Sequence, residues 1–346
     1  MISLKDIRNE LDALSANVAG HSTLSRLLIG YAVWQMFDKL RSSDGPFDRA
    51  GFMAFIRDAA VWSDLPRGAD GSPVMAADSM QDTAAVEAYT GSLYSQCWVP
   101  YSDDGFMHTV SMLEGRLRNN GIGPELFEGY KCIDMGCGGG RFSIAMHLLG
   151  AKHVTGIDIG IEAINDAKRR REAHGISPDK VHFENQSLLS LPETWANQFD
   201  RVLSSGVLHH TVNPELALQE AYRILKPGGI AFIYVYGAGG LHWEMVDWVR
   251  ALVHDCPEQF ARQTLRLLDA PVGKVFHIMD HWFVPNYETL TATEFEARCK
   301  ATGFTVEQRL FRGLYLYESS ERLYQYPEDA DLMGEGDLRY LLGKKS

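Results

Sequence analysis

At 346 residues the chain is longer than one typical domain and can bury a sizeable core. Hydrophobic residues make up 45% and charged residues 23%, as in ordinary globular proteins, and the formal net charge of −12 argues against an extended nucleic-acid surface while leaving room for a local RNA contact. Cys97, Cys132, Cys137, Cys256 and Cys299 form no C-x-x-C pair and no window has the apolar length of a membrane span, so a disulfide framework, a zinc site and a membrane anchor are not expected.

The first residues, Met1 to Asp6, carry charge and lack a long apolar run; no signal peptide is expected, and the protein is read as cytoplasmic. Residues 1–80 read as a helical region and linker. Leu4, Ile7, Leu11 and Leu14 recur at helical spacing, as do Leu24, Leu27, Leu28 and Tyr31, and a further helix is expected over Arg49 to Trp62. Asp64 to Asp78, rich in Pro, Gly, Asp and Ser, reads as the linker. This part is expected to be a packing or dimerisation module. Residues 81–126 bring Tyr89, Tyr94, Trp98, Tyr101 and Phe106 close together; such rings suit a core and a cation-binding surface equally.

From residue 127 strand and helix patterns alternate, which implies a parallel sheet with helices on both faces. Cys132-Ile133-Asp134-Met135-Gly136-Cys137-Gly138-Gly139-Gly140-Arg141-Phe142 reads as an apolar strand, a glycine turn and the start of a helix. Such a turn lets backbone approach a ligand, and the helix directs its positive end there. Cys137 in the turn reads as packing rather than a nucleophile. Val154 to Ile159 is a second strand ending in Asp158, whose carboxylate can accept both hydroxyls of a ribose. Lys168-Arg169-Arg170-Arg171 reads as a solvated helix face. Further strands follow at Val181 to Gln186, from Phe199, and at Ala231 to Tyr236.

Residues from about 127 to 237 resemble the core of class I S-adenosylmethionine-dependent methyltransferases. The Asp134-x-Gly-Cys-Gly-x-Gly140 turn, Asp158, Leu208-His209-His210 and Leu225-Lys226-Pro227-Gly228-Gly229 occur in that family's order and spacing. The resemblance implies an α/β fold with a Rossmann-like doubly wound sheet, mostly parallel with an antiparallel last strand. The expected segments are an N-terminal helical region at 1–80, a lid at 81–126, the cofactor-binding core at 127–237, an inserted helical cap at 238–290, and the end of the core with a tail at 291–346. Within the cap, helices are expected near Leu241 to His254 and Glu258 to Leu268. After it come the last helix, Thr293 to Gly303, and two strands, Thr305 to Leu310 and Gly313 to Glu318.

The resemblance also implies roles. Asp134, Gly136, Gly138 and Gly140 would flank the methionine part of S-adenosylmethionine, Asp158 would hold the ribose, and Ile159 would pack on the adenine. Where the family commonly has an aspartate for the adenine amine this chain has Ser187, so Gln186 and Ser187 together are assigned that task, with a weaker bond than a carboxylate gives. Ser204 and Ser205 would end their strand beside the sulfonium. His209 is either a base, its pKa lying near neutrality, or a structural residue beneath the site. Tyr94 and His281 complete the catalytic candidates, with Trp98, Tyr101, Tyr287, His242 and Trp243 as further contacts. His277 and His281 lie four apart, a spacing that suits a metal on a helix, but no third ligand is near and none is expected.

Methyl transfer to a small molecule, a carboxylate or amine in specialised metabolism, is the function these readings imply. An alternative keeps the cofactor and closes its amino-acid arm to azetidine-2-carboxylate, releasing methylthioadenosine. A binding protein with a degenerate pocket is a third reading, resting on Ser187 alone. The expected partners are a small-molecule substrate and a second copy of the chain, with no nucleic acid and no membrane.

Overall fold

The computed structural model describes residues 2–42, 45–62, 83–311 and 329–346. Helices α1 (Leu4–Val18), α2 (Thr23–Arg41) and α3 (Arg49–Trp62) come first, and α4 (Thr83–Trp98) and α5 (Asp103–Asn119) precede the first strand. The alternating part runs β1 (Lys131–Met135), α6 (Arg141–Leu148), β2 (His153–Asp158), α7 (Ile161–Ala173) and β3 (Val181–Asn185). It continues through β4 (Phe199–Ser205), α8 (Pro214–Ile224) and β5 (Leu225–Tyr236). Helices α9 (Gly240–Leu252), α10 (Glu258–Leu267) and α11 (Val272–Ile278) follow, the last running into a π-helical turn at Met279–Phe283. The chain ends with α12 (Ala292–Thr302), β6 (Thr305–Leu310), α13 (Asp329–Met333) and β7 (Asp337–Gly343).

The described residues form two compact units. One holds 83–238, 284–311 and 335–346 and is built on a seven-stranded sheet in the order β3-β2-β1-β4-β5-β7-β6. Strands β1 to β5 pair in parallel, whereas β7 runs antiparallel to both of its neighbours, β5 and β6. The expected Rossmann-like, mostly parallel sheet is therefore present. Side chains alternate between its faces. Ile133 and Met135 of β1 join a core with α8 and α12, while Cys132 joins one with α5, α6 and α7. Both faces are covered, as a parallel sheet requires.

Three details depart from the sequence reading. The strand expected at Gly313 to Glu318 lies outside the described residues, and the antiparallel strand comes instead from Asp337–Gly343, read as tail. That segment is short and carries a charge mid-strand. Arg339 is nonetheless buried, paired with Asp337 and seated over the Tyr234 ring at 5.1 Å. Strand β5 also starts earlier than Ala231, because Leu225 already pairs with Phe199 across an irregularity in β4. Finally, the basic run on α7 is not all solvated. Arg170 is only 1% exposed, bonded to Asp166 at 2.7 Å, Asp103 at 3.1 Å and the Tyr101 carbonyl at 2.8 Å, with Phe106 beneath it; Arg171 is buried as well.

The other unit is helical, with described residues 2–42, 45–62, 239–283 and 329–334. The N-terminal helices and the inserted segment share its core. The Trp248 indole donates to the Leu11 carbonyl at 3.0 Å, and Arg26 grips Asp255 with both carboxylate oxygens at 2.6 and 2.7 Å. Ser3 caps α1 in a reciprocal box with Asp6. No helix among the described residues is long and apolar enough to cross a membrane.

Candidate cofactor and active site

The end of β1 turns sharply into α6. Gly136, Gly138 and Gly140 all take positive φ, of 82°, 51° and 84°. At Gly140 a side chain is excluded twice over: the left-handed backbone disfavours one, and a Cβ would lie 2.6 Å from the Phe183 ring. At Gly138 a Cβ would collide with the Trp98 indole nitrogen. Trp98 therefore packs against the glycine turn, with the Arg141 guanidinium 4.6 Å from its ring centre. Cys137 is buried, and burial pushes its thiol well above the ordinary range, as suits packing rather than nucleophilic attack.

Asp158 ends β2 half exposed. Its two oxygens accept the N–H groups of Gly138 at 2.9 Å and Gly160 at 2.8 Å, tying the glycine turn to the start of α7. Burial raises its pKa, and these backbone bonds work against the rise. Ile159 beside it is half exposed. Asp134 differs. It is 2% exposed, accepts the Ser143 hydroxyl at 2.7 Å, and is pushed up to about 7 by burial, with that bond opposing the rise.

The β3 end is braced from within. Gln186 donates its amide to the Ser190 carbonyl at 2.7 Å and the Ser187 carbonyl at 3.3 Å. The Ser187 hydroxyl accepts the Leu189 N–H at 3.2 Å and donates to Glu87 of α4 at 2.6 Å. Helix α4 makes two further contacts from the same face. Gly91 packs so close to Gly160 that a Cβ there would lie 3.2 Å from its backbone, and Ser95 accepts the Ala163 N–H at 3.2 Å. Glu87, Gly91 and Ser95 stand four residues apart and form one stripe. Sequence reading missed Glu87; the stripe was its available signal, but nothing local indicated what the stripe meets.

Ser204 is fully buried, and its hydroxyl is spent on the Met135 carbonyl at 3.1 Å, inside the sheet rather than at its edge; Ser205, one residue on, is half exposed. His209 is 1% exposed. Its Nδ1 accepts the Tyr236 N–H at 3.3 Å, its ring stacks on Tyr236 at 3.8 Å, and its carbonyl accepts the Glu288 N–H. These contacts make it a strut between the β4 and β5 ends. His210 donates to the Asn286 carbonyl at 3.1 Å and lies 5.6 Å from the Tyr94 ring. Tyr94, Trp98, His209 and the cofactor candidates thus share the sheet unit.

His281 belongs to the helical unit. It is buried, donates Nδ1–H to the His277 carbonyl at 2.9 Å, and lies with His242, His277 and Trp243 around Trp34 and Trp282. Burial, reinforced by the neighbouring His281, pushes the pKa values of His242 and His277 well down, so both are neutral imidazoles in an aromatic core. No group of three or more His, Cys, Asp or Glu side chains among the described residues could hold a metal ion.

Residues 126–265 match a family model described as a methyltransferase domain. The ubiquinone biosynthesis O-methyltransferase of Maricaulis maris (strain MCS10) is 37% identical over 108 residues, covering 31% of this chain and 41% of that protein. The enzyme of the same name from Dechloromonas aromatica (strain RCB) is 31% identical over 152 residues, 44% of this chain and 62% of that one. The human mitochondrial protein is 33% identical over 135 residues, 39% of this chain and 34% of its own. The chain spans less than two-thirds of the length of each. With the glycine turn closing β1, the carboxylate closing β2 and a methyltransferase domain matched over the same residues, residues 126–265 are a methyltransferase domain of the class I S-adenosylmethionine-dependent kind, whose cofactor is S-adenosylmethionine.

Proposed function

We propose that the chain transfers a methyl group from S-adenosylmethionine to a small molecule. The observation that carries this reading is Asp158. Its carboxylate, on a half-buried residue, accepts two backbone N–H groups and retains lone pairs for a ribose diol at the end of β2. With Ile159 half exposed beside it and the glycine turn on its other side, these residues fit an adenosyl amino acid. When bound, S-adenosylmethionine supplies a methyl group already attached to a good leaving group.

The chain's own residues then have to hold and align. Asp158 takes the ribose hydroxyls, Ile159 packs on the base, and the positive end of α6 favours the carboxylate of the amino-acid arm. His209 is engaged through Nδ1 by the Tyr236 N–H, so it serves alignment rather than acting as the base, and the proton of a hydroxyl acceptor passes to solvent. The relatives are named for O-methylation in ubiquinone biosynthesis, not for specialised metabolism, so a small-molecule hydroxyl is the first acceptor to test.

The test is product analysis by chromatography and mass spectrometry. Purified protein is incubated with methyl-labelled S-adenosylmethionine, first alone and then with hydroxyl-bearing metabolites. S-adenosylhomocysteine together with a labelled acceptor is expected; absence of both defeats the proposal. Methylthioadenosine as the only nucleoside product from cofactor alone would replace it with cyclisation.

A further inference from the structure

Asp158 places the ribose at the end of β2, and the glycine turn on the β1 side receives the amino-acid arm. The base then extends the other way, toward β3, which is the next strand in the sheet. The exocyclic amine of adenine is a donor and needs an acceptor there. Gln186 is committed to bracing its own loop, and the hydroxyl hydrogen of Ser187 points to Glu87. A carboxylate does reach this edge, delivered by α4 from a hundred residues earlier in the chain.

We propose that Glu87, held by Ser187, is the adenine-recognition residue of this protein. The assignment rests on the S-adenosylmethionine reading of the site. Three contacts fix the carboxylate in place: its own bond to Ser187 at 2.6 Å, the close seat of Gly91 on Gly160, and the Ser95 bond to Ala163. A carboxylate has about four acceptor positions, and Ser187 uses one. Glu87 is half-buried, so the remaining positions are partly shielded from water. Ser187 is then no sign of a degenerate pocket. It is the hydroxyl that orients a carboxylate supplied from another element.

The test is calorimetric binding of S-adenosylhomocysteine and of its analogue lacking the 6-amino group. Wild-type protein should prefer the amino compound by roughly 10- to 100-fold, the range for a hydrogen bond to a charged acceptor. Glu87→Ala should lose that preference while binding the des-amino analogue as wild type does, which also reports an intact fold. The double variant Glu87→Ala with Ser187→Asp, which returns a carboxylate from the β3 side, should regain it. A preference unchanged in Glu87→Ala, or a loss equal for both ligands, overturns the assignment. Failure of the wild-type protein to bind either ligand would instead overturn the cofactor reading beneath it.

Discussion

Replacing Asp134 by Asn should make the protein more stable, and increasingly so as the pH rises. Asp134 is 2% exposed, and burial pushes its pKa from 3.8 to about 7. The folded protein therefore keeps a proton that the unfolded chain gives up between those values. Stability must fall as pH rises through this window and stay lowered above it. The gap is about three units at about 1.4 kcal/mol each, an upper limit of ~4 kcal/mol. Asparagine still offers an oxygen to the Ser143 hydroxyl, now 2.7 Å from the carboxylate, and carries no charge to bury. Urea unfolding of both proteins at pH 5, 6, 7 and 8, at one ionic strength, measures the difference. The advantage of Asp134→Asn should grow by about 1.4 kcal/mol per unit up to pH 7 and level off by pH 8. Parallel profiles, or a wild type that is the more stable above pH 7, would refute the reasoning.

Asp158→Asn should weaken S-adenosylhomocysteine binding by roughly 10- to 100-fold, because an amide cannot accept from Gly138, Gly160 and a ribose at once; isothermal calorimetry reads it. Gly140→Ala should cost about 2–5 kcal/mol, the sum of a left-handed backbone for a residue with Cβ and overpacking against Phe183, seen as a lower urea midpoint at unchanged slope. Arg170→Met should cost about 1–3 kcal/mol, since it leaves the Tyr101 carbonyl without its buried donor while Asp166 keeps Arg169 at 2.8 Å; a melting temperature within a degree of wild type would contradict this.

Most of the sheet was legible in the sequence because its signals are local. An apolar run ending in Asp134 and alternating glycines, and a second run ending in Asp158, specify strand, turn and helix within a dozen residues, and their order implies a parallel sheet. The glycine spacing reflects backbone that only glycine adopts without strain, so it reads directly. What only the tertiary structure decided depends on segments far apart in the chain. Ser187 and Glu87 are a hundred residues apart, and neither position shows that a hydroxyl in one orients a carboxylate from the other. Arg170 looks like a solvated charge until α7 buries it against Tyr101, Asp103 and Phe106. His281, a pocket residue by type, is buried in an aromatic core with the N-terminal helices. Strand β7 hides a charge that is affordable only beside Asp337 and the Tyr234 ring. Turn chemistry and periodicity act over a few bonds and leave their mark in sequence. Burial and charge pairing are set by whichever distant segment packs alongside, and those decided the surroundings of Glu87, Arg170, His281 and Arg339.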